Sequence, residues 1–111
     1  MASGQFSAVT GGQSNTASGQ CASVTGGETN SASDEGASVT GGIWNIAGNP
    51  CASVTGGSTN TAGGAVSTIT GGYQNTVVND PLSGFSFSAI LGGWGTTINW
   101  SYGIYPWSPQ Q

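Results

Sequence analysis

The sequence of 111 residues contains no lysine, arginine or histidine, and its formal net charge is −4. Proteins that bind nucleic acid neutralise phosphates with cationic side chains, and anionic membrane surfaces attract proteins in the same way. The missing cations therefore exclude nucleic acid as a partner and argue against nucleotides and anionic membranes as ligands.

Catalytic groups are also scarce. The acids are Glu28, Asp34, Glu35 and Asp80. These carboxylates are scattered, and no cationic side chain is present to activate a serine or cysteine or to stabilise an oxyanion. We therefore expect a protein that is not an enzyme and that uses no cofactor.

Long apolar runs are absent as well. A membrane-spanning helix needs about 20 consecutive apolar residues, and the most apolar segment here is the short stretch 88–91. Glycine accounts for 21 residues and apolar types for 35% of the chain, so a wide hydrophobic core is not expected.

The first residues lack the basic and apolar segments of a secretion signal. The chain is therefore either not exported by that route or part of a longer protein.

A 15-residue repeat dominates what is present. The motif Val-Thr-Gly-Gly at 9–12 returns at 24–27, 39–42 and 54–57, and as Ile-Thr-Gly-Gly at 69–72. A weaker copy at 90–93 is displaced by 21 residues, and the extra residues fall around the turn-forming string 79–82. An asparagine follows each of the five regular motifs, at Asn15, Asn30, Asn45, Asn60 and Asn75.

Each repeat predicts two short strands joined by two turns. Residues alternate in character, as in Ala22-Ser23-Val24-Thr25, which is the period of a strand. The Gly-Gly pair forms one corner, and the residues around Ser18-Gly19 or Gly63-Gly64 form the other. We predict an all-β parallel β-solenoid (a β-roll) of about six coils, of which the regular 15-residue repeats cover residues 1–78. Residues 79–111 would then form a last irregular coil and an aromatic C-terminal cap.

Alternation also assigns the faces of the coil. Ala22, Val24, Asn30 and Ala32 are predicted to point inward, and Thr25 to point outward. The stacked asparagines are predicted to hydrogen-bond from coil to coil as a ladder. Such a thin core buries little apolar area, so we expect several rods to pack against one another.

The segment 23–32, Ser-Val-Thr-Gly-Gly-Glu-Thr-Asn-Ser-Ala, resembles the head repeat of trimeric autotransporter adhesins of the YadA type and related repeats of bacterial surface proteins and phage tail fibres. The resemblance covers residues 3–78 and, weakly, 88–99. It implies a left-handed β-roll and a homotrimer or fibre displayed extracellularly, on a cell surface or a virion. Such a module would bind a surface glycan or host receptor, or act as a spacer; no site residues carry over.

The segment 15–19 is also similar to the half-repeat of grass ice-binding β-rolls. An outward array of serine and threonine hydroxyls on a rigid sheet would suit the ordering of ice-like water, although threonine also simply favours exposed strands. The candidate ice-binding face consists of Thr10, Ser23, Thr25, Ser38, Thr40, Ser53, Thr55, Thr68 and Thr70. The opposite face is interrupted by Trp44 and Ile46.

Aromatic and aliphatic side chains supply the other candidate surface. Ile43, Tyr73 and Trp94 share one outward place after the Gly-Gly corner, and Trp44 stands beside it. Exposed apolar strips mark contacts. This strip would either pack against a neighbouring chain or stack on sugar rings.

Cysteines and acids offer weaker candidates. Cys21 and Cys51 occupy the same place two coils apart, about 10 Å, which is too far for an intrachain disulfide. They are predicted to be small buried hydrophobes, with an interchain bridge as the alternative.

Asp34 and Glu35, with Glu28, form either a solvated turn or an incomplete calcium corner, so we predict no metal site. The sequon Asn99-Trp100-Ser101 matters only in a secreted protein.

Three functions remain open. The leading hypothesis is a non-enzymatic structural or adhesive module of an extracellular or virion fibre. The alternatives are an ice-binding (antifreeze) β-roll and a filament subunit that self-assembles through its aromatic end.

Overall fold

The computed structural model of the protein describes residues 1–79, 87–99 and 103–105. Within those ranges every regular element is a two-residue strand, and there is no helix. Two strands and two corners make one coil, and the coils stack into a β-solenoid of about six turns, as predicted. The strands are β1 (Ala8–Val9), β2 (Thr16–Ala17), β3 (Ser23–Val24), β4 (Ser31–Ala32), β5 (Ser38–Val39), β6 (Ile46–Ala47), β7 (Ser53–Val54), β8 (Thr61–Ala62), β9 (Thr68–Ile69), β10 (Thr76–Val77), β11 (Ala89–Ile90), β12 (Thr97–Ile98) and β13 (Ile104–Tyr105).

The strands form two parallel sheets on opposite sides of the solenoid. The odd-numbered strands follow one another in a seven-stranded sheet, and the even-numbered strands form a six-stranded sheet. Neighbouring strands pair at an offset of 15 residues, as in Ala8 with Ser23. Between β9 and β11 the offset is 21, with Thr68 opposite Ala89. The extra residues are therefore an insertion between coils that leaves the strand register intact.

The core is as thin as the sequence predicts. Its buried members are alanines and valines, joined by isoleucines from the fifth coil onward, among them Val24, Ala32, Ile69 and Ile90. The residues predicted to point inward are buried, and Thr25 is exposed. Because each strand contributes two residues, of which one points inward, no coil buries a large side-chain cluster.

The inward asparagines connect successive coils. Asn45 is fully buried; its amide nitrogen Nδ2 donates to the carbonyls of Gly41 (2.9 Å) and Gly57 (3.0 Å). Its Oδ1 accepts from the backbone N–H of Asn60 at 3.0 Å. The ladder is therefore confirmed, but each asparagine bonds to backbone groups of its own coil and of the next coil instead of to the next asparagine side chain.

The Gly-Gly corner needs its second glycine for two reasons. Gly27 has a φ of 85°, and a Cβ atom built on it would lie 2.1 Å from the carbonyl oxygen of Gly42. Gly26, by contrast, has open space around its Cα. The second glycines thus allow the coils to stack closely, whereas the first glycines tolerate a side chain.

The second corner is a four-residue turn. In the second coil the N–H of Ala22 donates to the carbonyl of Gly19 at 3.1 Å, and Cys21, the third residue of the turn, has a φ of 58°. The same arrangement recurs in each of the first five coils, with Phe6, Cys21, Gly36, Cys51 and Val66 in the third place. A positive φ at this place is the geometry of a type II turn.

This geometry overturns the prediction that Cys21 and Cys51 are buried hydrophobes. Both thiols are free and exposed. The positive φ directs the side chain at the turn's apex away from the core, whereas the following residue, such as Ala22, points inward and is buried. The outward Cys21 next to the inward Ala22 continues the alternation of the strand, so the prediction failed because it followed residue type alone.

The C-terminal end continues the stack by one more strand, since β13 pairs with β11 at the 15-residue offset. Tyr105 packs against the core. The predicted aromatic cap falls largely on Phe85, Trp100, Tyr102 and Trp107, which lie outside the described residues.

Candidate functional site

Three of the four residues proposed as a contact strip lie in one column along the Gly-Gly edge of the solenoid, and Trp44 lies beside that column. A chain of parallel bridges joins Gln13, Glu28, Ile43, Ser58, Tyr73 and Trp94 in that order. Ile43, Tyr73 and Trp94 are therefore brought to one edge, with Ser58 between the first two. We call Ile43, Trp44, Tyr73 and Trp94 the aromatic strip.

All members of the aromatic strip are open to solvent. The exposed fractions are 45% for Ile43, 60% for Trp44, 46% for Tyr73 and 78% for Trp94. The rings of Tyr73 and Trp94 lie 6.5 Å apart between centroids at a tilt of 49°, within the range of favourable aromatic pairs. The strip thus places apolar side chains in three of four consecutive coils, with Ser58 in the fourth.

The local backbone explains why Trp44 projects outward. Trp44 has a φ of 59°, and its N–H donates to the carbonyl of Glu28 in the preceding coil at 3.0 Å. Thr29 and Thr59 occupy the same place in the neighbouring coils with nearly the same φ. The tryptophan is therefore not required by the turn, because a threonine satisfies it equally well.

The candidate ice-binding face lies on the sheet of odd-numbered strands. Thr10, Thr25, Thr40, Thr55 and Thr70 are all exposed and form one column of five threonines. Beside it runs the half-buried column Ser23, Ser38, Ser53 and Thr68, preceded by Ala8.

Regular backbone bonding holds this hydroxyl face in place. The N–H of Thr25 donates to the carbonyl of Val39 at 3.0 Å, and that of Thr40 donates to Val54 at 2.9 Å. Ser53 Oγ and Thr68 Oγ1 share a hydrogen bond of 2.7 Å. Neighbouring coils lie about 4.8 Å apart, and alternate residues of a strand about 7 Å apart, so the hydroxyls form a rectangular array.

The opposite sheet is less regular. Its outward column runs Thr16, Ser31, Ile46, Thr61, Thr76 and Thr97 along the even-numbered strands. Ile46 is 42% exposed and interrupts the hydroxyls, as the sequence predicts. Only the odd-numbered sheet therefore offers an unbroken threonine column.

The acids do not meet at one corner. Glu28 lies on the Gly-Gly edge in the column of Ile43, whereas Asp34 and Glu35 belong to the turn at the opposite edge. Asp34 Oδ1 accepts the N–H of Glu35 at 2.8 Å, as expected of a polar turn. The alternative of a calcium corner built from all three acids is wrong. Across the described part of the chain, no group of three or more histidines, cysteines or acids is placed to hold a metal ion.

Sequence reasoning missed the exposure of the residues at the apex of the second corner. Two signals in the sequence indicated it. Gly36 shares the column of Cys21 and Cys51, and Pro50 precedes Cys51, as is common at the second place of a type II turn. Both features mark a turn with a positive φ instead of an inward strand position.

Comparison with known proteins does not identify the chain. No protein-family model and no curated protein matches the sequence. Among the described residues there is no helix that is long and apolar enough to cross a membrane.

Proposed function

We propose that the chain is a non-enzymatic structural module of an extracellular or virion fibre, and that it works by packing side by side with identical copies as a homotrimer. The observation that carries this proposal is the aromatic strip. Four large apolar side chains line one edge of a rod whose own core contains little more than alanine, valine, isoleucine and asparagine.

The strip has the properties of a chain-to-chain contact. It follows the rod axis, so a second rod lying alongside would cover several of its members at once. Burial of apolar surface contributes about 25 cal/mol per Å², and tyrosine and tryptophan are typical anchors of interfaces. The contact would compensate for the small apolar area that a single coil buries.

The near absence of charge supports the same arrangement. When identical rods lie side by side, a charged residue on the contact edge lies close to the same residue of the neighbouring rod, and the two like charges repel. The column of the strip contains one acid, Glu28, and the residues that follow it are uncharged. Copies can therefore approach along this edge without a ladder of repulsions.

A surface glycan or host receptor is the other partner that the strip could serve. Aromatic rings that face solvent can stack on sugar rings, and the side chains of Thr59 and Gln74 lie in the adjacent column. In this adhesive role the strip would bind the glycan or receptor, and copies of the chain would associate through a different surface.

The test replaces the strip with residues that the repeat itself uses at the same places. In the triple variant Ile43→Ser, Trp44→Thr, Tyr73→Ser, each new residue is found in a neighbouring coil, so the fold should be retained. We expect the wild-type chain to elute as a homotrimer or a larger assembly and the triple variant to lose the trimer. Ile46→Ser, which removes an exposed isoleucine from the opposite sheet and introduces the serine found at Ser31, should leave the trimer unchanged. A trimer that survives the triple substitution would contradict the proposed contact.

Ice binding is a second candidate, and the unbroken column of five exposed threonines favours it. If this face orders ice-like water, a concentrated solution should show thermal hysteresis and shaped ice crystals. Thr40→Tyr, at the centre of the column, should abolish both effects. Thr61→Tyr, the same change on the opposite sheet, should preserve them. Absence of hysteresis in the wild-type chain at high concentration would remove this candidate.

A further inference from the structure

The edge opposite the aromatic strip carries a second column of exposed apolar residues. It consists of the apex residues of the five turns, continued by Phe87, which lies in register with Val66 because Ala89 pairs with Thr68. We call this column the corner ridge: Phe6, Cys21, Gly36, Cys51, Val66 and Phe87.

These residue types are unfavourable at these places for two reasons: their apolar side chains face solvent, and the backbone there has a positive φ. Phe6 is 78% exposed, Val66 45% and Phe87 44%, and both thiols are exposed. Phe6, Cys21, Cys51 and Val66 have φ values of 56–59°, a region that glycine enters without cost and that is unusual for a β-branched residue such as valine.

Gly36 shows what the turn itself prefers. It has a φ of 65° at the same place, and the turn around it keeps the same hydrogen bond, from Ala37 N–H to the carbonyl of Asp34 at 3.0 Å. Glycine or asparagine at every apex would be more favourable for the isolated chain. The turn itself therefore does not account for the phenylalanine, cysteine and valine at these places.

We propose that the corner ridge is a second self-association surface, on which another copy of this chain seats its own ridge. This inference goes beyond the proposed function, since it concerns the opposite edge of the rod. It would allow assemblies formed through the aromatic strip to be joined to one another.

A second copy fits the ridge better than an unrelated partner. The ridge presents one apolar or small side chain per coil at about 4.8 Å, and a second copy carries the same side chains at the same spacing, so that each ridge residue meets a counterpart. The ridge residues themselves are uncharged, so charge does not select a partner. The two thiols lie one coil on either side of Gly36, and they therefore reach matching heights in two copies whether the rods run parallel or antiparallel.

Disulfide trapping of the full chain tests the proposal. A mild oxidant, oxidised glutathione, is added to the reduced protein, and dimers are quantified over time on non-reducing gels. The matched control carries Cys21→Gly and Cys51→Gly together with Thr25→Cys and Thr55→Cys, which places two exposed thiols in the same coils but on the sheet face. We expect the native thiols, Cys21 and Cys51, to form dimers about tenfold faster than the control thiols, which meet only by random collision. Burial of one ridge side chain in the contact would supply this factor.

A second variant separates contact from fold. Val66→Gly and Phe6→Gly replace ridge residues by the residue found at Gly36, so the melting temperature should stay the same or rise as the backbone is relieved. Dimer trapping through the native cysteines should nevertheless slow toward the collisional rate. Equal trapping rates for native and control thiols, or trapping unaffected by the glycine variants, would overturn the proposal. The triple strip variant leaves all ridge residues intact, so failure of one surface is distinguishable from failure of the other.

Discussion

The second glycine of each Gly-Gly pair sets the spacing of the solenoid. At Gly42 the φ is 86°, and a Cβ would lie 2.2 Å from the carbonyl oxygen of Gly57. Gly57 in turn packs against Gly72 in the same way. The six Gly-Gly motifs are therefore a stack of close backbone contacts, in which each member depends on the next.

Gly42→Ala is predicted to destabilise the chain strongly. The left-handed conformation alone costs alanine about 1–2 kcal/mol, and relief of the backbone clash adds to that cost. Gly41→Ala, one residue earlier, meets open space and should change stability by less than about 0.5 kcal/mol. Urea denaturation of both variants measures the difference, and equal loss at the two glycines would contradict the assignment.

The buried asparagines give a second prediction at this scale. Asn45→Asp keeps the shape of the side chain but removes the Nδ2 donor to Gly41 and Gly57 and buries a carboxyl group. Each unsatisfied buried group costs about 1–3 kcal/mol, so a loss of at least about 2 kcal/mol is expected at neutral pH.

The loss in Asn45→Asp should shrink as the pH falls. Burial raises the pKa of a carboxyl group above its unfolded value, so the folded variant binds its proton more tightly. Its stability is therefore greatest below the unfolded pKa and declines as the pH rises toward the folded one. Asn99→Asp, the same change at an exposed asparagine, should have little effect on stability at any pH. An equal effect at both positions would contradict the role of the ladder.

At the scale of the coil, each repeat contacts only its neighbours. The two sheets pair in strict sequence from β1 to β13 and from β2 to β12, so a coil can be removed without rearranging those that remain. The 21-residue offset between β9 and β11 shows that extra residues are accepted between strands, provided that the register is kept.

Deletion of residues 46–60 tests this independence. The change joins Asn45 to Thr61, which is the place that Ile46 held, and it removes one complete coil. We expect a folded solenoid with the same circular dichroism and a modestly lower urea midpoint.

The control deletion, 46–59, leaves one additional asparagine ahead of the strand. A shift of one residue exchanges the inward and outward sets, so this variant must either bulge or lose its pairing. It should be markedly less stable than the 15-residue deletion. Equal stability of the two deletions would show that register does not govern the fold.

The sequence predicted the coil and the Gly-Gly corner because both are repeated without interruption. Alternation correctly placed Val24 and Asn30 inside and Thr25 outside. The prediction failed at Cys21 because it followed the apolar residue types of that column, whereas alternation from the inward Ala22 already places Cys21 outward. The sequence also anticipated an asparagine ladder but not its partner in the next coil, since the carbonyl of Gly57 becomes an acceptor only when the coils are stacked.

At the scale of the whole molecule, the low charge and the two apolar edges both favour contact between copies of the chain. A flattened rod with a serine- and threonine-rich face, an aromatic strip on one edge and the corner ridge on the other can contact its copies along its length. Most of the large apolar side chains that the described residues expose lie on these two edges, and exposed apolar strips mark contacts. The proposed fibre module follows from this distribution, with the odd-numbered sheet left free for water or ice.

The molar mass of the wild-type chain in solution decides whether identical copies pack side by side. Sedimentation equilibrium, with a reductant present so that the thiols of the corner ridge stay unlinked, gives the mass without a standard. We predict a mass of three times the 10.9 kDa of one chain, or a multiple of that mass where the corner ridge joins trimers, over a wide range of dilution. A mass of one chain at every concentration would contradict the proposed side-by-side packing.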